Sequence, residues 1–521
     1  MVGKARRMNW ELTIPIIIFL VAFFSRFLFI GRYFGQDEVY YVGYSKDLIS
    51  GRPFSSVFPP FFYLFLLPVV ALFGDNEIII HILMAFLGAM NVLVVYYFGK
   101  RFLNETAGIV ASILLAFNTT HFFFSDFAML DMPVTLFATV GFYFFWSWYK
   151  GRNERDLILG SLFTTFATMT KYAFFGSVAM LGYLFFYDRK VLKDRKALFF
   201  ISLPLIFLAV WMGYYVSSLS WLWKWWFSYL TGQLSINLPF YIYLESIYSE
   251  FLLPILTFFV IFAVLFLEAE KRKIHSKASY VFLTLFILIY LFVSPLYLQP
   301  TTKAVIGFFS VFILGLYYYQ KKDIYKFLVF IVLIVFLFYS PIKVKFPRYV
   351  LPALPALYLL IGQMFSDLRR FKWFFVIGIL ALAWFVISNF EDTANKLIVD
   401  KEINRIKFQT QDYINKNSPE CSPVYSSTWY GFYYLRTRIT DLPSSVDNLK
   451  SAIQSRCTCP PRYVVSEGSL SSNVNSVLIL EKEFSGSAIQ YKYLETGKTD
   501  VNNIAPVQVY KINEEFIKGI C

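Results

Sequence analysis

Residues 10–38 read WELTIPIIIFLVAFFSRFLFIGRYFGQDE, an apolar run over 10–30 followed by a short polar link that ends in Asp37-Glu38. The run is long enough to cross a bilayer as a helix, which takes about 20 residues. The acidic pair therefore stands at the membrane edge. A carboxylate held beside hydrocarbon is expensive, so an acid kept there is a functional hypothesis by default. A second one follows at Asp131-Met132-Pro133, again just outside the end of an apolar segment.

The rest of the chain has the same character. Its 521 residues are 57% hydrophobic and 21% aromatic, with 61 Phe and 37 Tyr, which is too apolar for a water-soluble protein of ordinary composition. Apolar stretches predict about thirteen transmembrane helices. They lie near 10–30, 77–98, 106–124, 132–149, 157–170, 172–187, 197–216, 250–267, 279–297, 304–319, 324–340, 349–365 and 373–390. The pair at 157–170 and 172–187 is short enough to be read also as one bent hairpin. The net charge of +14 does not imply nucleic acid, because the basic residues sit in clusters between apolar runs and serve as topology signals.

Those clusters orient the chain. Lys4, Arg6, Arg7, Lys100, Arg101, Lys150, Arg152, Arg155 and the groups at 189–196, 271–277, 321–326 and 369–372 fall on one side. The opposite loops hold fewer: Arg32, Lys46, Arg52, Lys171, Lys224, Lys303, Lys343, Lys345 and Arg348. The positive-inside bias places the N-terminus in the cytoplasm, and an odd number of spans places the C-terminus outside. The first span lacks a small-residue cleavage site and reads as an anchor. All four cysteines, Cys421, Cys457, Cys459 and Cys521, follow the last span. In an oxidising compartment this predicts a disulfide between Cys421 and either Cys457 or Cys459.

The outer loops differ in texture. Residues 31–76 show helical apolar spacing after Asp37-Glu38, then Phe58-Pro59-Pro60, then an apolar stretch over 61–73 too short to span, which predicts two interfacial helices joined by a proline-stiffened turn. Residues 217–249 are rich in Trp and Tyr, as expected of a segment at headgroup level. After residue 391 the chain becomes water-soluble in texture. A helix through 393–416 and strand-like runs at 423–429, 462–466, 476–484, 489–495 and 506–512 predict a small α/β domain. The domain organisation is thus a membrane domain over 1–390 and an extracytoplasmic domain over 391–521.

Each acidic motif has a purely structural explanation. Asp37-Glu38 in a first helical turn would complement the macrodipole, and Asp131 before Met132-Pro133 would serve as an N-cap with Pro just inside the helix. Both motifs on one outer face, opposite a basic loop at Lys345 and Arg348, favour a catalytic reading. A secondary transporter is the competing class. Transporters carry charges at the membrane midplane on broken helices and show internal repeats. Here the charges lie at outer helix ends and no repeat is evident. With only His81, His121 and His275, a multi-histidine metal site is not expected, although a divalent ion on carboxylates is compatible with the sequence.

The ordered set resembles the GT-C superfamily of polyprenyl-phosphate-sugar-dependent glycosyltransferases, most nearly the protein O-mannosyltransferases and the lipid A aminoarabinose transferase. It runs from Asp37-Glu38 through Pro59-Pro60, Phe73-Gly74-Asp75-Asn76, Ser125 to Asp131-Met132-Pro133 and Thr170-Lys171, and ends in Arg348-Tyr349-Val350-Leu351-Pro352. It departs from the family's pattern at Phe58, at Asp126 and Met129, and at Tyr172. The resemblance implies an α-helical polytopic membrane protein of GT-C type with a small C-terminal α/β domain. It further implies inverting transfer of one sugar from a dolichyl or undecaprenyl monophosphate at the outer membrane face.

In that chemistry an acceptor hydroxyl loses its proton as it attacks, so Asp37 is the expected base, with Glu38 and Asp131 positioning. The departing lipid phosphate needs preplaced cations, for which Lys171, Lys345, Arg348 and Arg52 are the candidates. Pro59, Pro60 and Tyr349 would shape the site's surroundings. The implied partners are the lipid-linked donor, membrane lipids and a protein, glycolipid or glycan acceptor. No organic cofactor is implied.

Overall fold

The structure, a computed structural model, describes residues 10–31, 33–52, 56, 58–218, 314–319, 321–339, 347–426, 439–443, 445–467, 474–485, 489–492, 499–502 and 506–521, with four isolated positions between 219 and 313. The expected spans near 250–267, 279–297 and 304–319, most of the Trp/Tyr-rich loop, and Lys343 and Lys345 lie wholly or largely outside these residues.

The described part is mainly helical: α1 Trp10–Phe27, α2 Gln36–Ile49, α3 Phe61–Phe73, α4 Glu77–Phe102, α5 Glu105–Ala116, α6 Thr119–Phe124, α7 Asp131–Gly151, α8 Glu154–Lys171, α9 Phe175–Tyr187, α10 Arg195–Ser218, α11 Asp323–Tyr339, α12 Leu354–Leu368 and α13 Lys372–Asn417. Among the described residues, α4, α10, α13 and the stretch Arg348–Leu368 are long and apolar enough to cross a membrane. Asparagines start several of these helices. Asn76, Asn104, Asn118 and Asn153 each accept a hydrogen bond from a main-chain N–H in the first turn of α4, α5, α6 and α8.

Asn118 also corrects the expected span over 106–124. Its side-chain oxygen caps α6, so the chain stops at α5 and restarts, and its Nδ2 donates to the Tyr358 hydroxyl at 3.0 Å. The 157–187 segment forms two helices, α8 and α9, joined where Tyr172 adopts a left-handed φ of 56°. The span expected over 373–390 and the helix expected through 393–416 form one element. α13 runs unbroken for 46 residues, since neither Pro nor Gly interrupts it where the composition turns polar.

The chain divides into two compact units, one chiefly Met1–Ile30 and Tyr41–Thr393, the other Gly31–Tyr40, Ala394–Tyr493 and Gly497–Cys521. In the first, small residues let helices approach closely, as in membrane bundles generally. Gly99 of α4 faces Gly108 of α5 so tightly that a Cβ on either would overlap the other helix's main chain.

The second unit is a mixed sheet between helices. Strands β1 Val424–Ser426, β2 Ile439–Asp441, β3 Tyr463–Glu467, β4 Leu478–Phe484 and β7 Val507–Ile512 are ordered β2-β1-β3-β7-β4, and β5 Ile489–Lys492 pairs with β6 Thr499–Asn502 in a separate ribbon. The pairs β1–β2 and β1–β3 are parallel, whereas β3–β7 and β4–β7 are antiparallel. Alternation divides the apolar side chains. Tyr463, Val465, Val507 and Val509 pack with Ile406 and Ile414 of α13. Val464 and Ile512 pack with Leu449 and Ile453 of α14 Val446–Gln454. A short α15, Glu514–Lys518, ends the chain. Strands β2 and β6 and helix α14 were missed by the sequence reading. β2 and β6 have three and four residues, too few to show a period.

Both disulfides lie in this second unit. Cys421 bonds Cys459, which selects one of the two expected partners, and Cys457 bonds Cys521. They close chain separations of 38 and 64 residues. Loops of this size correspond to about 3–5 kcal/mol per bond in the chain-entropy treatment. Reduction is therefore expected to speed amide exchange across β1, β3 and β7 severalfold or more. Unchanged protection would show that the bonds do not stabilise the sheet.

Candidate active site

α7 and α8 are antiparallel neighbours, so the first residue of α7 meets the last residue of α8. That geometry brings together Asp131 and Lys171. Lys171 Nζ donates to Asp131 Oδ1 at 2.6 Å, and both side chains are nearly buried, 12% and 6% exposed. Asp131 is not the N-cap that its sequence position implied. Leu130 occupies that place without a side-chain cap, and the Asp131 carboxylate turns to the lysine instead. The physical reason is energetic. A buried ammonium left without a counter-charge costs more than a missing cap.

A third charge comes from far along the chain. Arg348 lies in a short 3-10 segment, Pro347–Ala353, that leads into α12. Its Nε is 3.9 Å from Asp131 Oδ2, and Nη1 lies 3.2 Å from Met129 Sδ. Tyr349 completes the group. Lys171 Nζ sits 5.1 Å from the Tyr349 ring centre, and Tyr349 stacks on Tyr339 at 5.1 Å. Two cations and one carboxylate of the described residues thus share a sparsely exposed cluster.

Tyr172, which follows Lys171, belongs to an aromatic group. Phe58, just before the buried Pro59, packs against Tyr172 with ring centres 6.2 Å apart. Pro60 stands directly before α3. Tyr172 and Met169 further pack against the buried pair Trp211 and Tyr215 of α10. The sequence reading named Met129 only as a departure from the family's pattern and did not single out Trp211 or Tyr215. Their only signal was apolar character inside apolar segments.

Asp37 and Glu38 belong to the other compact unit. They open α2, as its first-turn spacing implied. Glu38 is fully buried, and its Oε2 accepts the Gly35 N–H at 2.6 Å, one half of a capping box. Asp37 is half-buried. Nearby, Tyr33 stacks on Phe408 of α13 at 4.1 Å. Arg52 instead bridges Asp47 at 3.0 Å with its side chain 72% exposed, an arrangement worth little energetically. Among the described residues no three His, Cys, Asp or Glu side chains are grouped as a metal site.

The fold matches that of membrane-embedded glycosyl-transfer proteins of the GT-C type. ArnT from Cupriavidus metallidurans, solved with bound undecaprenyl phosphate, aligns over 98% of this chain and 99% of its own with a TM-score of 0.57 and 13% identity. The oligosaccharyltransferase AglB from Archaeoglobus fulgidus, solved with an inhibitory peptide and a dolichol-phosphate, aligns over 88% of this chain and 69% of its own with a TM-score of 0.54 and 14% identity. The fold of the chain is therefore similar to that of GT-C glycosyltransferases.

The sequence profile of the family described as dolichyl-phosphate-mannose-protein mannosyltransferase matches residues 57–214. Those residues include Pro59, Pro60, Asp131 and Lys171. Dolichyl-phosphooligosaccharide-protein glycotransferase 1 of Pyrococcus horikoshii is 30% identical over 35% of this chain, and its Pyrococcus furiosus counterpart is 27% identical over 35%. The matched parts span only 22% and 23% of those relatives' lengths.

Proposed function

We propose that this protein is an integral-membrane glycosyltransferase that moves a single sugar from a polyprenyl monophosphate to an acceptor at the outer membrane face, with inversion at the anomeric carbon. The observation that carries the reading is the sparsely exposed Lys171–Asp131–Arg348 cluster, in which two cations flank one carboxylate. A lipid phosphate gains negative charge as the bond from its oxygen to the sugar breaks. Preplaced cations that lie near that oxygen stabilise the charge as it develops. Asp131 would hold the two cations apart from one another and oriented. Lys345, which lies outside the described residues, remains a candidate for the same role.

The acceptor oxygen forms the new bond to the anomeric carbon and releases its proton. Asp37 is assigned as the base that takes it, on the strength of its motif and its partial exposure. Glu38, buried and bonded to the Gly35 N–H, would fix the turn that presents Asp37. The matching family and the curated relatives are named as mannosyl- or glycotransferases, which favours the enzyme over the transporter.

Transfer of a labelled sugar from a synthetic polyprenyl-phosphate donor by the purified protein tests the proposal, and absence of transfer across a panel of hydroxyl acceptors would reject it. The names of the curated relatives favour a second reading, a donor carrying an oligosaccharide. Donors of increasing glycan length, run in the same assay, separate the two.

The proposed orientation places the N-terminus in the cytoplasm and the C-terminal unit outside. The two disulfides favour an oxidising compartment for that unit. A membrane-impermeant thiol reagent is expected to label a cysteine introduced at Ser471 in intact cells. Labelling only after lysis would reverse the orientation.

A further inference from the structure

The helical unit encloses a second charged cluster that the chemistry above does not use. Arg26, in the last turn of α1, is fully buried, as are Asn91, His121, Ser125 and Asp126. Its Nη1 donates to the Ala22 carbonyl at 2.6 Å, and Nη2 donates to the Ala116 carbonyl, the last of α5, at 3.1 Å. Nη2 also lies 3.0 Å from His121 Nδ1, and the guanidinium sits 4.7 Å from the Phe122 ring centre. Asp126 supplies opposing charge.

A guanidinium carries donors only, so His121 Nδ1 must accept. That fixes a neutral imidazole with its proton on Nε2. The Asn91 amide lies 3.1 Å from Nε2. This ring nitrogen donates, to the Leu115 carbonyl beside the ring or to the Asn91 amide with its Oδ1 turned toward it. Asn91 Oδ1 is otherwise a buried atom without a hydrogen-bond partner, and in the second case the half-turn satisfies it.

From His121 the cluster reaches the active-site loop. Ser125 N donates to the His121 carbonyl at 3.1 Å, and Ser125 Oγ donates to the same oxygen. Ser125 opens a loop, 125–130, whose residues are all buried. At its far end Met129 meets Arg348, and Asp131 begins α7. Gly88 of α4 leaves the room this needs, since a Cβ there would overlap the Ser125 side chain and lie 3.2 Å from Arg26 Nε.

We propose that Arg26 and the Nε2–H tautomer of His121 are positioning residues for the donor-phosphate site. They clamp loop 125–130, and the loop sets Met129 and Asp131 against Arg348 and Lys171. The clamp stands on hydrogen bonding alone, while its link to a donor rests on the lipid-phosphate reading above.

Three measurements on the full-length protein test this. Nitrogen-15 spectra of histidine-labelled protein, with His121 assigned by its loss in a variant, should show the neutral Nε2–H form across pH 6–8. Amide exchange in residues 125–131 should rise about tenfold or more in His121→Leu, the scale of losing one hydrogen bond to a charged group. His121→Asn retains an acceptor for Arg26 and should stay near the wild-type rate. Undecaprenyl monophosphate should bind His121→Leu about tenfold more weakly, with His121→Asn again close to wild type.

An imidazolium or Nδ1–H form of His121 in the unmodified protein overturns the clamp, as does unchanged exchange in His121→Leu. Faster exchange with unchanged lipid-phosphate affinity overturns the link to the donor site. If the unmodified protein binds no lipid phosphate, the functional reading falls and takes that link with it, while exchange and tautomer still decide the clamp.

Discussion

Asp37→Asn is expected to lower sugar transfer to a hydroxyl acceptor by about 10²–10⁴-fold, the usual consequence of losing a general base. Asparagine keeps the size of the side chain and much of its hydrogen bonding, so α2 should still form. The Glu38 bond to the Gly35 N–H does not involve the replaced group. Donor affinity is expected to change little, because the cations assigned to the phosphate lie elsewhere in the sequence. Turnover and donor affinity measured on the same folded preparation give the check. Near-normal turnover would remove Asp37 from the base role and leave it as a helix-start residue. It would also fit an acceptor already ionised, such as a phosphate, for which no proton need be removed.

The second large effect concerns Lys171. Lys171→Met would strip Asp131 of its closest cation and leave Arg348 Nε, at 3.9 Å, as the other charge beside it. Breaking one side of a buried ion pair costs about 3–5 kcal/mol, because the partner stays charged and desolvated. Lys171→Met/Asp131→Asn should recover much of that stability by removing the uncompensated charge. Catalysis should not recover with it. If Lys171 and Arg348 stabilise the departing lipid phosphate, loss of either costs roughly 2.7–4 kcal/mol in the transition state. Arg348→Gln, which leaves the Lys171–Asp131 pair intact, separates the two effects. Unchanged donor affinity and turnover in Arg348→Gln would confine the cluster to a structural role. Full recovery of transfer in the double variant would do the same for Lys171.

Much of the architecture is legible in local sequence. The length of the apolar runs determines that the chain is a polytopic membrane protein, because a helix must satisfy its own main chain in hydrocarbon. Asp37-Glu38 opens α2 where an acidic pair after a link is expected to, strands β4 and β7 fall within the runs read as strands, and β3 overlaps its run but for Glu467. The polar texture after residue 391 marks the C-terminal sheet unit. These features depend on period, propensity and caps, which a few neighbouring residues encode.

What lies across the chain is a different matter. No local pattern says that the partner of Asp131 is Lys171, 40 residues away, or that Arg348 joins Met129 from a separation of 219. The same holds for the choice of Cys459 over Cys457 as the partner of Cys421, and for Arg26 meeting His121, which the sequence shows only as a basic residue inside an apolar run. The structural alternative for Asp131 fell to packing as well, since its N-cap position was overridden by a lysine that only the α7–α8 packing supplies. The sequence by itself determined the membrane class, the helix starts and the acids available for chemistry. Tertiary structure alone decided which charges face one another, because burying a charge makes its partner, and not its neighbours in sequence, the dominant energetic term.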